Sequence, residues 1–119
     1  MQGTFLRFYV DEKQCHGGVL LWEWLLEKAS AMGVRGGSAF RAIGGFGRRH
    51  DLHESRFFEL AGSTGVEIEF IATDDETAAL IDLCRIEGIR VFYALIPARF
   101  GVINPDRDDP PVMLADAQG

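Results

Sequence analysis

Residues 36–49 carry the side chains and the backbone best suited to binding chemistry. The segment reads Gly-Gly-Ser-Ala-Phe-Arg-Ala-Ile-Gly-Gly-Phe-Gly-Arg-Arg. Bare backbone amides beside arginines can bind an anion such as phosphate, because guanidinium offers planar, bidentate hydrogen bonds to oxygen. The same glycines are also typical of a hinge at the base of a long loop. No Gly-Lys-Ser/Thr follows, so the segment is not a Walker phosphate loop.

A local excess of positive charge follows the glycines. Residues 41–56 hold four arginines against two acids, Arg41, Arg48, Arg49, Arg56, Asp51 and Glu54. In an acidic chain this pattern favours a basic segment that binds an anion or docks onto a partner. The alternative is a solvated loop whose charges offset one another.

Two histidines in the same loop are weak candidates for a metal site. His50 and His53 have the spacing of a metal-binding pair on a helix. They lie in a predicted loop, however, and the sequence supplies no evident third or fourth ligand. We therefore predict no metal centre.

The cysteines do not form a recognisable catalytic set. Cys15 and His16 have the side chains of a nucleophile and its base, but adjacent residues usually point apart and no orienting carboxylate is evident. Cys84 falls at a helical core position and is interpreted as a small buried hydrophobe. With no acid–base pair or nucleophile elbow, we predict that the chain is not an enzyme.

These candidate residues must be positioned by an alternation of strands and helices. Hydrophobic spacing predicts strands at Thr4–Val10, about Ser38–Ile43, Val66–Ala72 and Arg90–Ile96, and helices at Val19–Met32 and after Thr73. Thr73 and Glu76 have capping-box spacing. The pattern places Trp22 in the core and Trp24 at the surface, and Pro97 is expected to stop the last strand.

The element order predicts an α+β, ferredoxin-like βαββαβ fold. A four-stranded antiparallel sheet would carry two helices on one face, with a long insertion between the second and third strands. The opposite face is apolar at Phe5, Tyr9, Ile71, Phe92 and Ile96. So much exposed apolar area favours an oligomer, although some of these residues could instead pack under the connection at 48–60.

Length and charge limit the classes of partner. The 119 residues suit one domain, predicted at 1–103, and the net charge of −6 argues against nucleic acid and anionic membranes. Half of that charge lies in residues 104–119, which are acidic, contain prolines and are expected to be a disordered tail. Two cysteines and no long apolar run indicate a soluble, cytoplasmic protein with no direct membrane insertion.

Residues 33–48, which end in Gly45-Phe46-Gly47-Arg48, resemble the base of the T-loop in PII signalling proteins. The chain from about Leu6 to Ile96 is more similar to a PII-like family, domain of unknown function 190. The similarity rests on Phe-Arg-Ala-Ile-Gly-Gly-Phe-Gly, a basic histidine-containing loop, and then Ser-Arg-Phe-Phe-Glu-Leu at residues 55–60.

This resemblance implies a regulatory homotrimer without catalytic turnover. PII proteins bind adenine nucleotides (ATP, ADP or AMP) between subunits and dock their T-loop onto membrane transporters or enzymes. Here the T-loop would be loop 44–60, with a nucleotide or another small anionic ligand near Ser38, Gly45, Phe46, Gly47, Arg48 and Arg49. Docking would use His50, His53 and Arg56. The chain has only residues 85–90 where PII has a phosphate-gripping loop, so the ligand's identity stays open.

Two other functions remain open at this stage. A metal-responsive trimer like the divalent-cation tolerance proteins would use His50 and His53, with Cys15 or His16. A small dimeric α+β barrel enzyme would enclose a cavity against its open sheet face. An RNA-recognition module is a less favoured interpretation. Its sheet would need exposed aromatic residues among basic ones, whereas Glu67 and Glu69 lie on that face.

Overall fold

A computed structural model describes residues 1–45 and 64–109. Its strands are β1 (Gln2–Asp11), β2 (Cys15–His16), β3 (Val19–Leu20), β4 (Gly37–Arg41), β5 (Gly65–Ala72) and β6 (Phe92–Arg99), and its helices are α1 (Leu21–Ala31) and α2 (Asp74–Ile86).

The main sheet has the strand order β4-β5-β1-β6, and every neighbouring pair is antiparallel. The short strands β2 and β3 form a separate hairpin. This arrangement confirms the predicted α+β, ferredoxin-like sheet and its two helices. It also brings Arg41 and Thr64, the residues that flank the 42–63 connection, next to the end of β1.

In the two central strands, β1 and β5, apolar residues two positions apart point into the core. Leu6 and Phe8 in β1, and Ile68 and Phe70 in β5, are at most 2% exposed. Leu25 of α1 and other helix side chains pack on this face. Because successive strand residues point to opposite faces, the intervening residues form the open face of the sheet.

Helix α1 is shorter than predicted and is rotated slightly. Its predicted first two residues form β3 instead, and Trp24 is buried while Trp22 is only half-buried. The expectation for Trp24 was therefore wrong, whereas Trp22 does pack against the core as a partly buried side chain. The reason lies in the hairpin, because the ring of His16 packs against Trp24 with 5.0 Å between centroids.

Helix α2 begins as its capping residues predict. The Thr73 side chain accepts a hydrogen bond from the Glu76 amide, and the Glu76 carboxylate accepts one from the Thr73 amide. The helix ends before Gly88, whose φ of +70° is a conformation that glycine adopts without a steric penalty. The capping box thus fixes where α2 starts relative to β5.

The last strand continues through Pro97, so the prediction that this residue stops the strand was wrong. Pro97 pairs with Thr4, and the strand extends to Arg99. Strand β6 is at the edge of the sheet. Proline has no amide hydrogen, and an edge strand tolerates it at a position that faces away from the neighbouring strand, where no hydrogen bond is needed.

The chain after β6 stays near the start of β1. The Met1 ammonium donates to the Phe100 carbonyl at 2.7 Å, and Arg35 pairs with Asp109. Residues 110–119 of the predicted tail lie outside the described residues. Neither described helix is long and apolar enough to cross a membrane.

Candidate functional site

The candidate site lies where β1, β4 and β5 meet at the base of the 42–63 connection. Ala42 follows β4, and its amide donates to the carbonyl of Gly65 at 2.8 Å. The Glu12 amide donates to the Thr64 carbonyl, also at 2.8 Å. The first bond joins the chain after β4 to the start of β5, and the second joins Thr64 to the residue that follows β1.

Side chains reinforce this base. Arg41 donates from Nε and Nη2 to the two carboxylate oxygens of Glu12, each at 3.1 Å. Thr64 donates its hydroxyl to Glu12 Oε2 at 2.6 Å. These donors lower the pKa of Glu12, with the Thr64 hydroxyl the larger cause and Arg41 the next. The base of the connection is therefore a place where arginine and a hydroxyl bind a carboxylate.

The sequence-predicted site residues are only partly described. Ser38 is the second residue of β4, is exposed, and pairs in register with Glu69. Gly45 is exposed beyond the end of β4, and an added Cβ there would touch nothing within 4 Å.

The remaining candidates belong to residues 46–56. Phe46, Gly47, Arg48, Arg49, His50, His53 and Arg56 lie outside the described residues. Their predicted roles in ligand binding, docking or metal binding therefore stay predictions. Within the described ranges no group of three or more metal-ligating side chains comes together.

The open face of the sheet carries a polar row between two apolar rows. Arg7 lies at its centre and pairs with Glu69 at 2.8 Å, while its guanidinium lies 5.3 Å from the Phe5 ring centroid. The Tyr9 hydroxyl, which accepts from Arg7, and then Glu69 and Glu67 raise the pKa of Arg7 against the opposing effect of desolvation.

The apolar rows follow the strand register on either side of Arg7. One row is Ile71, Phe5 and Ile96. The other is Phe40, Glu67, Tyr9 and Phe92, so one carboxylate interrupts it. Phe92 is 70% exposed and Phe40 is 52% exposed. The predicted apolar open face is thus present, and one more aromatic, Phe40, belongs to it.

The side chains of the neighbours Cys15 and His16 contact different groups. His16 Nε2 lies 2.9 Å from Glu87 Oε1, whereas the exposed Cys15 thiol contacts the Lys13 carbonyl. Cys84 is 4% exposed, and burial raises the pKa of its thiol to about 11. This agrees with its interpretation as a buried hydrophobe.

Comparison with known proteins places the chain in a family. The sequence profile of domain of unknown function 190, described as uncharacterized ACR, matches residues 3–87, well over half of the chain. The chain belongs to this family. Another similar sequence is the UPF0166 protein of Aquifex aeolicus strain VF5, which is 27% identical over 96 residues, 74% of this chain and 91% of its own length.

Two solved structures align with this family member. A PII-like protein from Thermus thermophilus aligns over 82% of this chain and 89% of its own, at TM-score 0.48 and 12% identity. CPII from Thiomonas intermedia K12, a nitrogen regulatory PII-like protein bound to ADP, AMP and bicarbonate, aligns with a TM-score of 0.51 and 12% identity. That alignment covers 87% of this chain and 99% of CPII. The chain therefore has the PII-like fold.

The basic segment identified in the sequence, residues 41–56, includes Arg41. The side chains at its binding site, Glu12 and Thr64, were not predicted. Glu12 and Thr64 are 29 and 23 residues from Arg41 along the chain, so spacing gives no sign of the contact. The available signal was positional: each of the two lies two residues from the end of a predicted strand. Once the ferredoxin-like strand order is assumed, these strand ends share one edge of the sheet.

Proposed function

We propose that this chain is a PII-like regulatory protein that binds a small anionic ligand near the base of the 42–63 connection. Adenine nucleotide is the first candidate ligand, and bicarbonate is the second. The protein acts by binding rather than by catalytic turnover. Its loop 44–60 docks onto a partner, either a membrane transporter or an enzyme.

The observation that carries this proposal is the shared fold with CPII. That protein is bound to ADP, AMP and bicarbonate, which are all anions. In the present chain the base of the long connection supplies Arg41, and the sequence continues through glycines to Arg48 and Arg49. Arginines beside exposed backbone amides suit phosphate and carboxylate groups.

A homotrimer is part of the proposal. The open sheet face exposes Phe92, Ile96, Phe40 and Ile71 by between 42% and 70%. Large exposed apolar side chains on one face of a small domain favour an interface. In the trimer this face is covered by neighbouring subunits, and the ligand lies in the cleft between them.

Ligand binding is tested by thermal shift and calorimetry with ATP, ADP, AMP and bicarbonate. A ligand at about one hundred times its Kd stabilises the folded state by about 2.7 kcal/mol, which raises the melting temperature measurably. Arg48→Ala and Arg49→Ala should weaken binding, whereas Arg107→Ala, in the segment after β6, should not. No response of the wild-type protein to any of these ligands would refute the anion-binding function.

Assembly is tested by light scattering coupled to size-exclusion chromatography. The wild-type protein should have three times the mass of one chain. Phe92→Asp, on the open face, should lower that mass, while Ile86→Asp on α2 is the matched control at a residue 79% exposed. A monomeric wild-type protein would contradict the trimer.

A further inference from the structure

The Glu12 carboxylate occupies a set of donors that comes from other parts of the chain. Glu12 lies in the turn after β1, Arg41 is the last residue of β4, and Thr64 directly precedes β5. The arginine contributes two hydrogen bonds and the threonine one, at 3.1, 3.1 and 2.6 Å. Three donors from two segments therefore converge on one oxyanion.

This donor set is not specific for a glutamate side chain. The two parallel N–H groups of a guanidinium match the oxygen spacing of carboxylate and phosphate alike. A threonine hydroxyl can donate to either group. The chemistry that holds Glu12 would hold a phosphate or carboxylate group of a free ligand equally well.

The contact is also accessible and exchangeable. The Arg41 side chain is 67% exposed while it binds Glu12, whose own side chain is 26% exposed. Ion pairs at such exposed positions contribute little to stability, since water and salt compete with them. An external anion can therefore replace Glu12 at small cost.

We propose that Arg41 and Thr64 form an oxyanion subsite, and that Glu12 fills it until a phosphate or carboxylate group of the ligand replaces it. The inference rests on the proposed anion-binding function and identifies two residues that perform it. Replacement of Glu12 removes the side-chain link between the turn after β1 and the two residues that flank the 42–63 connection, Arg41 and Thr64. Ligand binding is thereby coupled to the loss of this link.

The test is calorimetric titration of wild-type protein and Glu12→Gln with ADP, adenosine, inorganic phosphate and bicarbonate. Glutamine keeps the size of the side chain but removes the competing charge. We expect Glu12→Gln to bind ADP about two- to fivefold more tightly, the factor that corresponds to loss of an exposed ion pair. Adenosine should gain nothing, because it carries no anionic group, while gains for phosphate or bicarbonate alone identify which oxyanion the subsite accepts.

Two further variants separate replacement from a general charge effect. Glu87→Gln makes the same charge change at the His16 contact and should leave the affinity for ADP unchanged. Arg41→Gln should weaken ADP binding about tenfold or more, and adding Glu12→Gln to it should then have no further effect. Equal gains in Glu12→Gln and Glu87→Gln would overturn the subsite.

The outcomes distinguish this inference from the proposed function. If wild-type protein binds ADP and a folded Glu12→Gln binds it equally or less tightly, the subsite is wrong and the proposed function stands. If neither protein binds any of the anions, both are wrong. A crystal structure of the wild-type protein with ADP requires no variant: a ligand oxygen on Arg41 Nε and Nη2 supports the subsite, and Glu12 still on those atoms overturns it.

Discussion

Gly37 is the residue at which the packing of β4 can be tested most sharply. A Cβ added to Gly37 would lie 2.4 and 2.5 Å from two ring carbons of Phe70 and 3.2 Å from a methyl group of Leu26. Carbon atoms in ordinary contact are about 3.5–4.0 Å apart, so the ring would have to move by about 1 Å. The neighbouring Gly36 has open space around its Cβ position.

The surroundings of Phe70 determine the size of the effect. The ring is 2% exposed and makes an edge-on contact with Phe8 at 6.3 Å between centroids, so it cannot move into solvent. Overpacking of a core in this way costs about 1–3 kcal/mol. Loss of glycine's freedom in the unfolded chain offsets about 0.4–1 kcal/mol of that cost. We expect Gly37→Ala to lower the free energy of unfolding by about 1–2 kcal/mol.

The assay is urea unfolding of wild-type protein, Gly37→Ala and Gly36→Ala, followed by circular dichroism. Gly36→Ala should be neutral or stabilising by up to about 1 kcal/mol, because it has only the unfolded-state effect. In a Phe70→Leu background, Gly37→Ala should cost about 1 kcal/mol less than in the wild-type protein. Equal stabilities of Gly36→Ala and Gly37→Ala, or an undiminished cost beside leucine, would refute this account of how β4 packs.

Three other perturbations give independent outcomes. Thr73→Ala should lower the free energy of unfolding by about 1 kcal/mol in urea titrations, through loss of the capping box, and an unchanged midpoint would contradict that role of Thr73. The pKa of Glu12 is lowered in the folded state, so its ion pair contributes to stability at neutral pH. That contribution is lost as the pH falls from about 4.3, the ordinary pKa of glutamate, through the lower pKa of Glu12 in the folded state. Urea midpoints of wild-type protein and Glu12→Gln should therefore differ more at pH 7 than at pH 3, and an equal difference would argue against the contacts described for Glu12. Iodoacetamide at pH 8 should alkylate the exposed Cys15 much faster than Cys84, whose pKa is raised to about 11, as followed by peptide mass spectrometry; equal rates would mean that α2 opens readily.

Much of the fold was predictable because its central strands have one buried and one open face. Strict alternation of apolar residues predicted β1 and β5 to within two residues at every end. The ends of β6 were harder to predict, since a proline such as Pro97 usually indicates the end of a strand. Whether it stops a strand depends on the position of that strand in the sheet, which is a property of the tertiary structure.

The site was less predictable than the fold. The basic residues at 41–56 are visible in composition, and they include Arg41. The contact of Arg41 with Glu12 depends on which strand ends are neighbours in the folded sheet. The sequence alone therefore did not identify Glu12 as its partner. Trp24 shows the same limit: its burial depends on the β2–β3 hairpin folding over it, which the periodicity of α1 does not report.

Calorimetric titration of ADP into the wild-type protein tests the central claim most directly. The account predicts saturable binding with one site per subunit, and weaker binding when Arg41 is replaced by glutamine. A flat titration for ADP, repeated with ATP, AMP and bicarbonate, would contradict the claim that this PII-like fold serves to bind a small anion.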